Sequence, residues 1–107
     1  MLTSYGQGEF IEEARRVRGR IVMDDNRLFL QDAGGDMAAT YVPLEKIVRV
    51  SRRIGGLDIR VRTTMINEYR VLVKGRARGL NALARDLTAR RGFKKKFLWP
   101  EWFDESA

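Results

Sequence analysis

The sequence predicts a mainly β (α+β) domain, an antiparallel, partly open barrel of five to seven strands closed by one C-terminal amphipathic helix. Three observations carry this. Apolar residues alternate with charged ones over 17–31 and again over 57–73, the period of half-buried strands. Turn-forming clusters, Asp24-Asp25-Asn26 and Arg52-Arg53-Ile54-Gly55-Gly56 among them, separate the runs. Leu80, Leu83, Ala84 and Leu87 then recur at i, i+3, i+4 and i+7, the stripe of a helix laid on a core.

Taken in order, residues 1–8 hold two glycines and no periodicity, and read as a loose lead-in. Glu9 to Arg16 fits either a short helix or a first strand. From Val17 the period is two, with Val17, Gly19, Ile21 and Met23 on one side and Arg16, Arg18, Arg20 and Val22 on the other. Asp24-Asp25-Asn26 turns the chain into a second strand, Arg27 to Gln31, and 32–36 is the next break. Thr40 to Leu44 is a third strand, and Pro43 belongs at an edge or an end because it cannot donate a ladder hydrogen bond. Ile47 to Ser51 resumes in β character after a polar step at Glu45-Lys46.

The cleanest hairpin follows. Leu57, Ile59, Val61 and Thr63 alternate with Asp58, Arg60 and Arg62, and Tyr69, Val71 and Val73 alternate with Arg70, Leu72 and Lys74. The charged set reads as its solvent face, with cross-strand ion pairs. Gly75 to Gly79 breaks the pattern before the helix. Gly92 is placed as its left-handed stop, with Arg90 and Arg91 in the last turn, where cations suit the helix dipole. The domain therefore spans 9–92, and 93–107 is a tail of different character. That tail, Phe93-Lys94-Lys95-Lys96-Phe97-Leu98-Trp99-Pro100-Glu101-Trp102-Phe103 and its acidic end, holds five of the ten aromatics and both tryptophans.

Composition narrows the function classes. No run approaches the ~20 apolar residues of a membrane-spanning helix, and the N-terminus has no basic region followed by an apolar stretch. Cysteine is absent, which removes thiol chemistry and fits a cytoplasmic protein. Histidine is absent too, and with it the commonest general base and zinc ligand. Glu12-Glu13 and Asp24-Asp25 are the carboxylate pairs, and both sit where turn or surface acids are expected. Gly34-Gly35 and Gly55-Gly56 lack the Lys-Ser/Thr of a phosphate loop. No catalytic residue, metal ligand or cofactor is expected.

Two phrases carry a family resemblance. Gly19-Arg20-Ile21-Val22-Met23-Asp24-Asp25-Asn26-Arg27-Leu28-Phe29-Leu30 resembles the opening hairpin of GRAM and bacterial pleckstrin-homology-like (PH-like) domains. Tyr41-Val42-Pro43-Leu44-Glu45-Lys46-Ile47-Val48-Arg49-Val50 is similar to their (V/I)PL-x-x-I-x-x-V step. The resemblance covers 9–92 and implies a non-enzymatic binding or adaptor module. Two departures limit it. Helix 80–91 has no tryptophan, and the first hairpin loop is acidic, so inositol-phosphate recognition does not carry over residue by residue. The first phrase also looks like the opening motif of Sm-like barrels, which implies the alternative, a protein binding RNA or single-stranded nucleic acid.

Charge points to where a ligand would bind. Residues 70–96 hold ten of the twenty-one bases and one acid, Asp86, a balance of +9, while the rest of the chain sums to −2. Such clustering expects an anionic partner. The candidate anion-binding residues are Arg76, Arg78, Arg85, Arg90, Lys94, Lys95 and Lys96, a basic rim around one helix. Arg16, Arg18 and Arg20 form a secondary row. Phe97, Trp99, Trp102 and Phe103 are the candidate contacts to a membrane interface, a protein partner or a second copy of the chain, since aromatics among lysines suit all three. They also suit base stacking. The expected setting is cytoplasmic, peripheral at a membrane if lipid is the ligand.

Overall fold

In a computed structural model, residues 2–32, 34, 37–92, 94–95 and 101–103 are described, with 37–40, 94–95 and 101–103 described by backbone path alone. Seven strands precede the helix: β1 (Thr3–Glu12), β2 (Arg15–Met23), β3 (Arg27–Gln31), β4 (Met37–Pro43), β5 (Ile47–Arg53), β6 (Gly56–Arg62) and β7 (Glu68–Gly75). A single 3-10 turn, Leu44–Lys46, joins β4 to β5. Helix α1 (Ala77–Arg91) follows, then two short strands, β8 (Lys94–Lys95) and β9 (Glu101–Phe103). All nine strands form one antiparallel sheet in the order β4-β3-β2-β1-β7-β6-β5-β9-β8, open at β4 and β8.

The N-terminal reading needs correction. Residues 3–8 are not a loose lead-in but the first half of β1, and Glu9–Arg16 contains no helix. The reason is a β-bulge: between Ser4 and Gln7, β1 has one residue more than β2, and Gly6 there takes φ 90. The bulge shifts the phase of the strand, so that Tyr5 and Phe10, five apart, are both buried. No simple period of two survives such a shift. Glu13 and Ala14 then form a tight turn into β2, with Glu13 at φ 50.

The first hairpin turn is built as its residue types dictate. Asp24 accepts hydrogen bonds from the Asn26 and Arg27 backbone N–H at 2.8 and 2.7 Å, and its second oxygen takes the Arg27 guanidinium at 3.0 Å. Burial alone would raise the Asp24 carboxyl, but these hydrogen bonds and the Arg27 charge outweigh it and hold it below the ordinary carboxylate value. Val22 keeps its expected face, the one that carries the exposed arginines, but is covered there. It lies in a cross-strand row with Phe29 and Tyr41 on the outer face, and is itself buried. The Arg27 guanidinium sits 5.6 and 5.9 Å from the Phe29 and Tyr41 ring centres.

Three glycines line up across the sheet: Gly19 of β2, Gly8 of β1 and Gly75 of β7. A Cβ on Gly8 would stand 2.2 Å from the Lys74 carbonyl oxygen and 2.5 Å from Ile21 Cδ1. Bare backbone is what lets the strands approach so closely over Ile21. The core is the inner face of β1–β7 (Phe10, Leu28, Leu30, Ile47 and Ile59 among them) closed by Leu80, Leu83, Ala84 and Leu87 of α1. Each large apolar side chain so buried contributes about 1.5–3 kcal/mol. The helix ends at Gly92 in the left-handed region (φ 66), as its sequence position predicts. No helix of the described residues is long and apolar enough to cross a membrane.

Candidate anion-binding rim

The helix is fastened to the sheet by polar contacts as well as by its apolar stripe. Gly79 allows close approach: a Cβ there would stand 2.2 Å from the Tyr5 carbonyl oxygen. Beside it the Tyr5 hydroxyl donates to Asp86 Oδ2 at 2.7 Å. Burial, then the hydrogen bond and charge of Asp86, push the Tyr5 hydroxyl well above its ordinary pKa. Arg52 donates to Asn81 Oδ1 at 2.9 Å and to the carbonyls of Arg53 and Gly56, clamping α1 to the β5–β6 turn. At the far end the Arg91 guanidinium reaches the Ile47 carbonyl at 3.2 Å.

Tyr5 gives a testable pH dependence. A hydroxyl whose pKa is raised in the folded state contributes stability that is complete below the unfolded value of about 10. That contribution is lost as pH climbs beyond it. Tyr5→Phe is therefore expected to cost about 1–2 kcal/mol at neutral pH and to flatten the fall in stability above about pH 10. Urea unfolding at both pH values measures it; an unchanged alkaline slope would exclude the Tyr5–Asp86 bond as its source.

The same contacts sort the bases of the rim. Arg90, expected to face a ligand, is committed elsewhere. It donates to the Asp25 and Asp24 carbonyls at 3.0 and 3.4 Å and lies 3.5 Å from the Asp25 carboxylate, tying α1 to the first hairpin turn. The acids "missing" from 70–96 are supplied here by a distant loop. Arg85 is exposed, with the Asp86 carboxylate 4.0 Å away. Arg76 and Arg78 are exposed, and no described residue partners them. Arg76 is the N-cap residue and Arg78 stands in the first turn, which holds no acid. Two cations at the positive end of a helix dipole repel it, an arrangement that an anion would relieve.

The sheet brings more positive charge to that end. Glu9 of β1 stands directly between Arg18 of β2 and Lys74 of β7. Glu9 pairs with Arg18 at 3.2 Å and approaches Arg16 at 3.8 Å, while no described residue partners Lys74. One carboxylate thus faces three cations. Exposed pairs of this kind contribute only ~0–1 kcal/mol, so they do not lock the arginines away. A shallow concavity of about 320 Å³, lined by Gln7, Gly8, Glu9, Arg18, Lys74 and Gly75, lies between them. Arg20 is exposed further along β2, opposite Gln7. Lys74, two residues before Arg76 in the chain, therefore stands across Glu9 from Arg18, which sequence spacing alone does not reveal.

The tail is partly placed. β9 pairs with the edge of β5, setting Phe103 opposite Arg49 and Trp102 opposite Val50, and β8 pairs outside it with Lys94 opposite Phe103 and Lys95 opposite Trp102. The backbone of Trp102 and Phe103 thus belongs to the sheet. Lys96, Phe97 and Trp99 lie outside the described residues.

One feature of the β6–β7 hairpin was not legible. Asp58 is buried rather than a solvent-face acid; it takes Arg70 at 3.0 Å, with Arg53 at 3.8 Å. Arg62 and Glu68 form the expected cross-strand pair at 3.7 Å. Arg60 stands opposite Arg70 on one side and Arg49 on the other. The alternating arginines of the two strands were the available signal, but their register was not. Among the described residues no group of three or more Asp, Glu, His or Cys is placed to hold a metal ion. No protein-family model matches this chain, and no curated protein or solved structure matches it either, so its function has to be read from its own geometry.

Proposed function

We propose that this chain is a non-enzymatic binding module of PH-like, GRAM-like architecture that engages a phosphate-bearing membrane surface through the basic rim at the N-terminal end of α1. Support for the architecture comes from seven antiparallel strands, the meanders β1–β4 and β5–β7 joined through β1 and β7, followed by one helix packed on the core. One observation carries the ligand reading. Of the bases around α1, those without a partner among the described residues, Lys74, Arg76 and Arg78, lie together where β7 runs into α1, and Lys74 stands across Glu9 from Arg18.

Magnitudes define the kind of binding. A base near an anionic bilayer contributes about 1 kcal/mol, so four contribute about 4 kcal/mol, a millimolar affinity alone. The rim is thus one of two contacts, and the aromatic tail is the second, its rings suited to the headgroup layer. The expected behaviour is weak, reversible and salt-sensitive attachment.

Co-sedimentation with phosphatidylcholine vesicles, with and without phosphatidylserine, tests this. Binding is expected to rise with phosphatidylserine and to fall at least about tenfold in the Lys74→Ala/Arg76→Ala/Arg78→Ala protein, with Arg62→Ala as the unaffected control. No sedimentation with phosphatidylserine vesicles at low salt would overturn the lipid reading. Salt-steep binding to poly-uridine in that case would favour nucleic acid as the anion.

A further inference from the structure

A second concavity lies at the tip of the β1–β2 hairpin, one row beyond Glu9 and Lys74. It encloses about 980 Å³ and opens to solvent. Ile11 and Leu72, cross-strand neighbours, give it an apolar floor, and Tyr41 and Tyr69 provide aromatic walls. Glu12, Glu13 and Glu68 line it, with Arg15 and Arg70. Arg70 is held by the buried Asp58, at 3.0 Å. No described residue partners Glu12 or Glu13, and Glu12 is half-buried. With Glu68 paired to Arg62 and Arg70 to Asp58, Glu12 and Glu13 share the pocket with one further arginine, Arg15, which stands opposite Glu12 in the hairpin, beside two aromatic rings.

Two further observations bear on what would enter it. Tyr41 belongs to β4, the terminal strand of the sheet order, whose outer edge carries no strand partner among the described residues. An open edge of this kind offers a row of backbone donors and acceptors to an extended peptide. Within the pocket, burial raises the Tyr69 hydroxyl above its ordinary pKa, and the charge of Glu12 and then Tyr41 add to the effect.

We infer that this concavity receives the lysine or arginine side chain of an extended peptide that adds to the edge of β4. The peptide backbone would pair with β4 next to Tyr41. Its cationic side chain would cross into the pocket, stack on the tyrosine rings and meet Glu12 and Glu13. Cation–π contact with the rings and a charge-assisted hydrogen bond to a glutamate would hold that side chain. Alternate side chains of the same peptide would point away, so one pocket reads one residue. The pocket floor lies one same-face row further along β1 and β7 than Glu9 and Lys74, and the site differs from the rim in the charge of its ligand.

The test uses the whole chain and a fluorescein-labelled threonine–valine peptide with one central arginine. Fluorescence anisotropy is expected to show binding, about tenfold weaker when that arginine is replaced by glutamine. The Glu12→Gln/Glu13→Gln protein should lose most of that discrimination while its thermal unfolding is unchanged. Tyr41→Ala, at a side chain 46% exposed, provides a second variant that does not threaten the core. Amide shifts of Tyr41, Val42 and Tyr69 should move on titration with the arginine peptide. Arg76→Ala/Arg78→Ala should leave all of this intact. Equal binding of the arginine and glutamine peptides, tighter binding of a phosphoserine version, or absence of shifts at β4 would each overturn the inference.

Discussion

Gly8→Ala is expected to destabilise this protein by about 3 kcal/mol or more, although it adds only one methyl group. The new Cβ would lie 2.2 Å from the Lys74 carbonyl oxygen and 2.5 Å from Ile21 Cδ1. The isoleucine methyl can swing aside, but the carbonyl belongs to the β1–β7 ladder, where Gly8 pairs with Gly75 and Glu9 with Lys74. Relief therefore requires β1 to lift from β7, which opens the one junction linking β1–β4 to β5–β7 in the sheet. Overpacking costs about 1–3 kcal/mol, and each lost ladder hydrogen bond adds about 1 kcal/mol. Against a total stability of about 5–15 kcal/mol, that is a large share. Urea denaturation measures it; wild-type stability in Gly8→Ala would mean the strands are not so close. The rim should weaken with it, since Arg18, Glu9 and Lys74 stand side by side only while this junction holds.

Leu83→Ala is expected to cost about 2–5 kcal/mol. Leu83 is fully buried at the centre of the α1 stripe, between Leu80 and Leu87. Alanine is the better helix former, by a few tenths of a kcal/mol or less, so propensity cannot offset the cavity. The exposed Arg78→Ala on the same helix is the control, and is expected to stay within about 0.5 kcal/mol of wild type. Equal effects at the two positions, read by chemical denaturation, would contradict the packing described here.

Much of the fold was legible because it follows from local rules. The α1 stripe, the Gly92 stop, the Asp24 turn and the β6–β7 hairpin each express a period or a side-chain habit that acts within a few residues. The strand at 3–8 was hidden by the bulge at Gly6, which breaks the period on which strands are recognised. Arg90 was misplaced for a different reason. Its partners, Asp24 and Asp25, are more than sixty residues away in sequence, and charge counted along the chain cannot see them. Asp58 shows the same limit in reverse, since an acid in an alternating strand reads as exposed until Arg53 and Arg70 are found around it.

The amino-acid sequence by itself determined the mainly β class, the single C-terminal helix and the gathering of positive charge around it. These depend on hydrophobic periodicity and composition, which are properties of neighbours in the chain. Tertiary structure decided which charges remain available. Pairing across strands joined Lys74 to Arg18, removed Arg90 to a hairpin turn, and set Glu12, Tyr41 and Tyr69 around one concavity. The physical reason is that charges act through space over a few ångströms, whereas sequence records only their order.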